Sequence, residues 1–317
     1  MNREKQIQVT ILVLIYQVEQ YLGRMLCSIF GQTYPCIDYV FVNDGSTDNS
    51  LRILNETIEE CHIDKEKYVI VNHECNKGIA MSRADCLANA KGDYVYFVDS
   101  DDWVEPDAIE SMVMATNGGK IDIVGCDYCK DFESGVVTCH HENYARTCEE
   151  NMLRCLNYDI ATVLWKLLIR RCLFDNFVIS KTNIGEDYII SIKLYYYAKS
   201  FVSIDRTFYH YVQYNNNRLS FQSLRSIKDH IECVREVEKF LKNQGVFNVK
   251  FENKLLLRKS NIRCNFVLNK KILDFDAYMT TFPEARGLWR KMHYSIKERV
   301  KLWMADHKLF LILLLLK

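Results

Sequence analysis

Four short apolar runs limit what this chain can become. Gln8 to Tyr16, Tyr39 to Val42, Tyr68 to Val71 and Tyr94 to Val98 are rich in β-branched and aromatic residues, the composition of strands covered on both faces. Between them, apolar residues fall at helical spacing: Tyr21, Leu22, Met25, Leu26, Ile29 and Phe30 ending near Gly31, then Leu51, Ile53, Leu54 and Ile58, then Ile79 to Ala90. Strand and helix thus alternate four times in roughly the first hundred residues, which predicts an α/β fold with a mostly parallel sheet flanked by helices on both faces. Ile121 to Tyr128 and Gly135 to Cys139 read as two more strands joined by the turn from Asp131 to Gly135, and Ser200 to Ile204 and Thr207 to Tyr214 as a further two. From Glu149 onward helical patterning otherwise dominates. The expected division is an α/β domain over residues 1–220 and a helical extension over 221–317.

The chain has 317 residues, enough for one large domain with an extension. Lys+Arg and Asp+Glu stand at 41 each, so no nucleic-acid partner is indicated. That balance hides an asymmetry, because the segment from Glu284 onward carries net +5 and the remainder net −5. No stretch reaches the roughly 18–20 apolar residues of a membrane-spanning helix, and no signal-peptide cleavage pattern follows Val9 to Ile15. Thirteen irregularly spaced cysteines fit a reducing cytoplasm better than a disulfide scaffold. Cys126-Asp127-Tyr128-Cys129, with Cys139, His140 and His141 nearby, invites a zinc reading, but both cysteines fall in a predicted strand, where a zinc knuckle needs a tight turn.

The Tyr94–Val98 run stops at Asp99, Asp101 and Asp102, three carboxylates in four positions. Such a cluster is costly unless a cation sits with it. Asp99 and Asp101 are two apart and point the same way in extended backbone. Their hard oxygens suit Mg²⁺ or Mn²⁺. A solvated acidic turn is the plainer alternative, but the C-terminal end of a strand is where open α/β sheets bind ligands.

With these residues in view the sequence resembles a family 2 inverting nucleotide-sugar glycosyltransferase of the GT-A fold. The matching pieces come in the family's order. Val9 to Tyr16 resembles the opening strand, and Ser28-Ile29-Phe30-Gly31-Gln32-Thr33-Tyr34 the helix end that follows. Val42-Asn43-Asp44-Gly45-Ser46-Thr47-Asp48 is similar to the family's "VDDGSTD", Asn76-Lys77-Gly78 with Ser82-Arg83 to its "N-x-G … AR", and Val98 to Trp103 to its "VDSDDW". Gly185-Glu186-Asp187 resembles the late acceptor-side motif. The chain departs from the pattern at Leu14, Gln17 and Asn43, where the family usually has Pro, Asn and Asp.

The resemblance implies a role for each position. Tyr16, Asp44, Arg83, Asp99 and Asp101 would bind the nucleotide sugar, with Asp44 on the base and Arg83 on the diphosphate or base. Asp101 and Asp99 would hold a Mn²⁺ or Mg²⁺ cofactor, with His210 a weaker candidate as third ligand or diphosphate contact. Asp187 would be the catalytic base, deprotonating the acceptor hydroxyl. Each has a structural alternative: an Asx turn for Asp44, an ion pair for Arg83, a helix N-terminus enriched in acids for Asp187, a structural histidine for His210. Trp165 and Lys166 either line the acceptor side or pack on the sheet.

The expected reaction moves a sugar from a donor, a UDP-sugar by the Asp44 position, to a glycan or lipid-linked acceptor in surface polysaccharide synthesis. Near the C-terminus Ile296, Val300, Trp303 and Met304 fall on one helical face ringed by Lys297, Arg299 and Lys301, and Leu309 to Leu316 adds eight apolar residues. That pattern suggests a cytoplasmic protein docking on an anionic inner leaflet, or a helix packed on protein. Homo-oligomers stay open. The rivals are a sugar nucleotidyltransferase, for which no Gly-rich loop with a following basic residue is seen near the N-terminus, and a non-catalytic binding or scaffold module, against which stand the intact Asp101 and Asp187.

Overall fold

The computed structural model describes residues 6–180, 182, 184–215, 224–269 and 271–310. In chain order the elements are β1 (Val9–Ile15), α1 (Glu19–Phe30), β2 (Ile37–Asn43), α2 (Ser50–Glu60), β3 (Tyr68–Asn72), α3 (Ile79–Asn89), β4 (Tyr94–Asp99), β5 (Trp103–Val104), α4 (Ala108–Ala115), β6 (Ile123–Asp131), β7 (Val137–His140), α5 (Cys148–Leu156), β8 (Leu167–Arg170), α6 (Glu186–Tyr197), β9 (Phe201–Val212), α7 (Leu224–Asn243), α8 (Val249–Leu268), α9 (Phe275–Thr280) and α10 (Ile296–Asp306). They form two compact units. The first comprises residues up to 151, 160–183 and 193–217; the second comprises 152–159, 184–192 and residues from 218 onward.

The first unit is the predicted α/β body. One sheet runs in the order β3-β2-β1-β4-β8-β6-β9-β5, with β7 paired to β6. Strands β1 to β4 are mutually parallel, Ile15 lying beside Asn43 and Leu14 beside Asp99. That register brings the C-terminal ends of β2, β1 and β4 to one edge. Central strands β1 and β4 are buried almost throughout, which accounts for their continuous apolar runs. On α1, Leu22, Met25, Leu26 and Ile29 form the buried face. The Ser28–Tyr34 motif is structural. Gln32 donates to the Glu105 carbonyl and accepts from the Ile109 N–H, and Ser28 Oγ accepts from the Val104 N–H, so the end of α1 holds the segment that follows the acidic turn.

Two strand predictions are corrected. Ser200–Ile204 and Thr207–Tyr214 join as one strand, β9, whose parallel register with β6 shifts at Asp127 as a bulge absorbs the intervening residues. Helical patterning beyond Glu149 also conceals β8, four residues too short to show a period of two. Among the cysteines, Cys129 and Cys139 face each other across β6 and β7 and form a disulfide. The zinc reading of that segment therefore loses two sulfur ligands, Cys129 and Cys139, and the free-thiol expectation fails for this pair.

The second unit is helical. Helices α7 and α8 carry its core with Ile231, Val234, Val237, Leu241, Phe251, Leu255 and Ile262. Asp306, buried on α10, accepts from Tyr278 Oη and Trp289 Nε1, 2.8 Å each. Among the described residues no helix is long and apolar enough to cross a membrane. The predicted apolar run beyond Phe310 lies outside the described residues.

Asp122, just before β6, ties the end of β8 to the approach to β9. Its carboxylate accepts from Arg170 Nε at 2.6 Å and from the Lys199 N–H at 2.8 Å. Burial pushes its pKa up, but the Lys199 N–H and the Arg170 side chain outweigh that and hold it below the ordinary range. We expect Asp122→Ala to lose about 1–3 kcal/mol in urea unfolding at neutral pH. Because the folded pKa is depressed, this contribution is complete above the unfolded pKa of about 4 and is lost as pH falls through the folded value. The gap between the variant and the parent should therefore close in acid.

Candidate active site

The edge formed by β2, β1 and β4 collects four of the sequence-predicted site residues. Asp44 follows β2 directly, Tyr16 follows β1, and Asp99 ends β4 with Asp101 two residues on. Tyr16 is the exposed member, 46% open to solvent. Its neighbour Gln17 sits at φ 53°, a left-handed conformation in which Asn is commoner than Gln. It is held there by its own N–H on Ser46 Oγ and by Nε2 on Thr47 Oγ1. The turn at the Gln17 departure is thus held by its own hydrogen bonds.

Asp44 is buried and closely bound. Its Oδ1 accepts from the Lys77 N–H at 2.8 Å and lies 2.6 Å from His73 Nδ1, and its Oδ2 accepts from the Gly78 N–H at 2.9 Å. The Asn76-Lys77-Gly78 segment therefore folds onto the end of β2. Gly45 makes that approach possible: at φ 70° it is left-handed, and a Cβ there would come within 2.7 Å of the Cys75 backbone. Asn43, where the family has Asp, spends its side chain on the turn. Nδ2 donates to Asn72 Oδ1 and Oδ1 accepts from the Ser46 N–H. Asp48 is a second turn residue, accepting from the Ser50 N–H opening α2 and the Glu19 N–H opening α1. Arg83, on α3, is buried with its guanidinium 4.7 Å from the centre of the Phe97 ring of β4.

The acidic turn after β4 separates its three carboxylates into different tasks. Asp102 is fully buried; its Oδ2 accepts from Tyr209 Oη at 2.8 Å and its Oδ1 from the Val212 N–H at 2.8 Å. Burial, then the charges of Asp101 and Asp99, push its pKa well up. Tyr209 Oη in turn accepts from the Asp99 N–H at 3.0 Å. Asp102 and Tyr209 form a clamp between β4 and β9 that fixes the backbone bearing Asp99 and Asp101. Asp101 Oδ2 accepts from Asn215 Nδ2 at 2.8 Å. The sequence reading missed Asp102, Tyr209 and Asn215 as site-building residues. Their signal is a third carboxylate in an apolar setting and aromatic residues on a distant strand, and neither points to a partner without the fold.

His210 has little to offer a metal. Nδ1 lies 3.0 Å from Asp131 Oδ1 and Nε2 3.0 Å from Glu105 Oε1, and the ring stacks on Trp103 with centroids 3.5 Å apart. Both nitrogens are engaged, which fits the structural alternative. Trp165 is likewise buried, stacked on Tyr209 at 4.2 Å, and Lys166 is buried with Glu142 3.0 Å away. These two pack the sheet.

Asp187 lies in the second unit, in the first turn of α6. Gly185 precedes it at φ 87°, and a Cβ there would meet Cys233 Sγ at 3.0 Å and His230 Nδ1 at 3.1 Å. The absent side chain lets α7 close against the start of α6. Tyr188 Oη donates to the Leu156 carbonyl at 3.1 Å, and the Arg258 guanidinium lies 3.9 Å from the Tyr158 ring centre. Burial, then the Arg258 charge, lowers the pKa of His230 to about 4, so it is neutral at physiological pH.

The sequence profile of glycosyl transferase family 2 matches residues 10–177, β1 through the end of β8 and just beyond. The chain belongs to glycosyl transferase family 2. Of the site positions, Tyr16, Asp44, Arg83, Asp99 and Asp101 fall inside the family match, whereas Asp187 and His210 fall outside it. A Bacillus subtilis protein described as a glycosyltransferase, EpsH, is 31% identical over 212 residues, covering 64% of this chain and 60% of its own length. Glycosyltransferase GlyA of Streptococcus pneumoniae is 31% identical over 215 residues, covering 64% of this chain and 30% of its own. The matched region thus spans 60% or less of these relatives. Among solved structures, S. aureus TarS 1-349 in complex with UDP superposes with a TM-score of 0.66 at 18% identity, covering 95% of this chain and 88% of that one. A mannosyltransferase from Pyrobaculum calidifontis, in complex with GDP-Man and Mn²⁺, gives 0.56 at 15% identity, covering 95% and 80%. At these identities the likeness is one of fold, and it agrees with the curled α/β sheet of the family 2 enzymes.

Replacing Tyr209 by Phe tests the clamp while keeping the stack on Trp165. We expect a loss of about 1–3 kcal/mol in urea unfolding with an unchanged far-UV CD spectrum, because a buried carboxylate and the Asp99 N–H each lose a partner. An unchanged unfolding midpoint would remove the clamp from the account.

Proposed function

We propose that this protein is an inverting, metal-assisted glycosyltransferase that moves a sugar from a UDP-sugar to a hydroxyl of a glycan or lipid-linked acceptor in surface polysaccharide synthesis. The observation that carries the reading is the convergence of Asp44, Asp99 and Asp101 on one edge of adjacent parallel strands inside the family 2 match. That edge is where open α/β sheets bind nucleotides. Residues 1–220 would form the GT-A catalytic domain and 221–317 its helical extension.

In this reading Asp44 takes the nucleobase, Asp99 the ribose or a metal water, and Tyr16, open to solvent, the face of the donor. Asp101, with Asp99, would hold Mn²⁺ or Mg²⁺. Two carboxylates beside each other, with the third diverted into the Tyr209 clamp, give the hard oxygen donors such an ion prefers. The ion, when bound, supplies positive charge for the departing diphosphate. Arg83, buried on α3 over the Phe97 ring of β4, would supply a fixed cation to the diphosphate or base. The acceptor oxygen attacks the anomeric carbon opposite the diphosphate, the anomeric C–O bond to the diphosphate breaks, and the acceptor proton passes to the Asp187 carboxylate. No covalent sugar–enzyme species forms, so a single carboxylate base suffices. His210 is left out of the ligand set because both its nitrogens are bonded. The UDP bound by TarS and the Mn²⁺ bound with a nucleotide sugar by the archaeal mannosyltransferase support the donor and ion classes.

A cytoplasmic location on the inner leaflet completes the proposal. On α10, Ile296 is 82% exposed and Val300 and Trp303 are exposed beside Lys297, Arg299 and Lys301. This is the arrangement of a helix that inserts shallowly among anionic headgroups.

Calorimetric titration with UDP, GDP and CDP, each with and without Mn²⁺, tests the donor site. UDP should bind in a Mn²⁺-dependent way, and Asp101→Ala should abolish that binding. Asp187→Asn should lower transfer at saturating donor by at least about 100-fold while leaving the UDP affinity unchanged. Absence of any nucleotide binding would contradict the transferase reading and favour a scaffold role.

A further inference from the structure

The carboxylate assigned to the nucleobase has one of its oxygens already filled, and the residue that fills it is His73. This inference rests on the reading of Asp44 as the base contact. His73 follows β3, is 7% exposed, and is fixed by its own N–H on the Asn43 carbonyl at 2.9 Å. Its Nδ1 lies 2.6 Å from Asp44 Oδ1 and its Nε2 2.8 Å from Asp85 Oδ2 on α3. Both contacts are hydrogen bonds when the ring carries a proton on each nitrogen. Among the described residues, Asp44 Oδ1 also accepts from the Lys77 N–H, whereas Oδ2 accepts from the Gly78 N–H alone. A carboxylate oxygen has two lone-pair sites. Oδ1 is therefore saturated and Oδ2 keeps one place.

We infer that His73 is a specificity-determining residue that restricts Asp44 to a base presenting a single N–H donor. Uracil offers one imide N–H between two carbonyls, which one free lone pair satisfies. Guanine offers N1–H and its 2-amino group side by side, a pair that a carboxylate meets only with both oxygens free. With Oδ1 occupied, the second donor of guanine would be buried without an acceptor, a loss of about tenfold or more in affinity. Cytosine presents an unprotonated N3 and would face the carboxylate with a lone pair. The selection thus lies in what already occupies Asp44, with His73 reaching it from a neighbouring strand end.

Two measurements test this. On the parent protein with Mn²⁺, calorimetry with UDP, GDP and IDP separates donor count from purine size, because inosine keeps N1–H and lacks the 2-amino group. We expect IDP to bind at least as tightly as GDP. The second measurement compares His73→Asn, whose amide nitrogen falls near Nδ1 and keeps the donor to Oδ1, with His73→Gln, whose amide falls near Nε2 and releases Oδ1. His73→Asn should keep the parent's ratio of UDP to GDP affinity, and His73→Gln should lower it about tenfold, chiefly by tighter GDP binding. GDP binding the parent more tightly than IDP would overturn the inference, and so would a His73→Gln ratio equal to the parent's. A fall of equal size in both variants would also overturn it, since a packing role predicts that result. No UDP binding by the parent would instead remove the nucleotide site itself, an outcome distinct from a changed ratio.

Discussion

The strand-end edge depends on one fully buried carboxylate. Asp102 has no exposure, and its two oxygens are met by Tyr209 Oη and the Val212 N–H. A carboxylate removed from water in this way is tolerable only with such partners, so the residue both demands the clamp and enforces it. The consequence is a fixed turn. Asp99 and Asp101 emerge from backbone tied to β9, and Tyr209 Oη also receives the Asp99 N–H. Stacking of Trp165 on Tyr209 extends the rigidity into the core between β8 and β9. Such a support would serve the role proposed for Asp99 and Asp101, a pair of carboxylates presenting oxygens to a hydrated ion without reorganising.

Much of this was legible in the sequence, for a definite reason. Strands β1 to β4 are buried on both faces and separated by amphipathic helices, so composition and period agree at each step. Asp44, Asp99 and Asp101 then follow the strands directly, and strand ends are the places where a short motif fixes position. The later strands were less legible. β8 is four residues long, and β9 pairs across a bulge with β6, so its reading as two strands followed the break in pattern at Asp205 and Arg206. The partners Tyr209, Asn215 and His73 were invisible for another reason. Each is an ordinary residue in its local sequence and gains meaning only from a neighbour between 29 and 114 positions away.

His210 shows the converse. A histidine near an acidic motif is open to both a ligand and a structural reading until its neighbours are known. Asp131 and Glu105 then occupy both nitrogens and Trp103 covers one face. The same residue types, carboxylate and imidazole, serve packing at His210 and site construction at His73. What separates them is the element they hold. His210 ties β5 and β6 to β9, while His73 bonds Asp44, the strand-end carboxylate for which the nucleobase contact is proposed.

The central claim is that the edge formed by β2, β1 and β4 holds a nucleoside diphosphate through these carboxylates. A crystal structure of the protein grown with UDP and Mn²⁺, with anomalous data collected at the manganese edge, tests it most directly. The account predicts an anomalous peak beside Asp99 and Asp101 and a uracil whose imide N–H meets Asp44 Oδ2. UDP bound elsewhere, or a manganese peak away from both carboxylates, would contradict it.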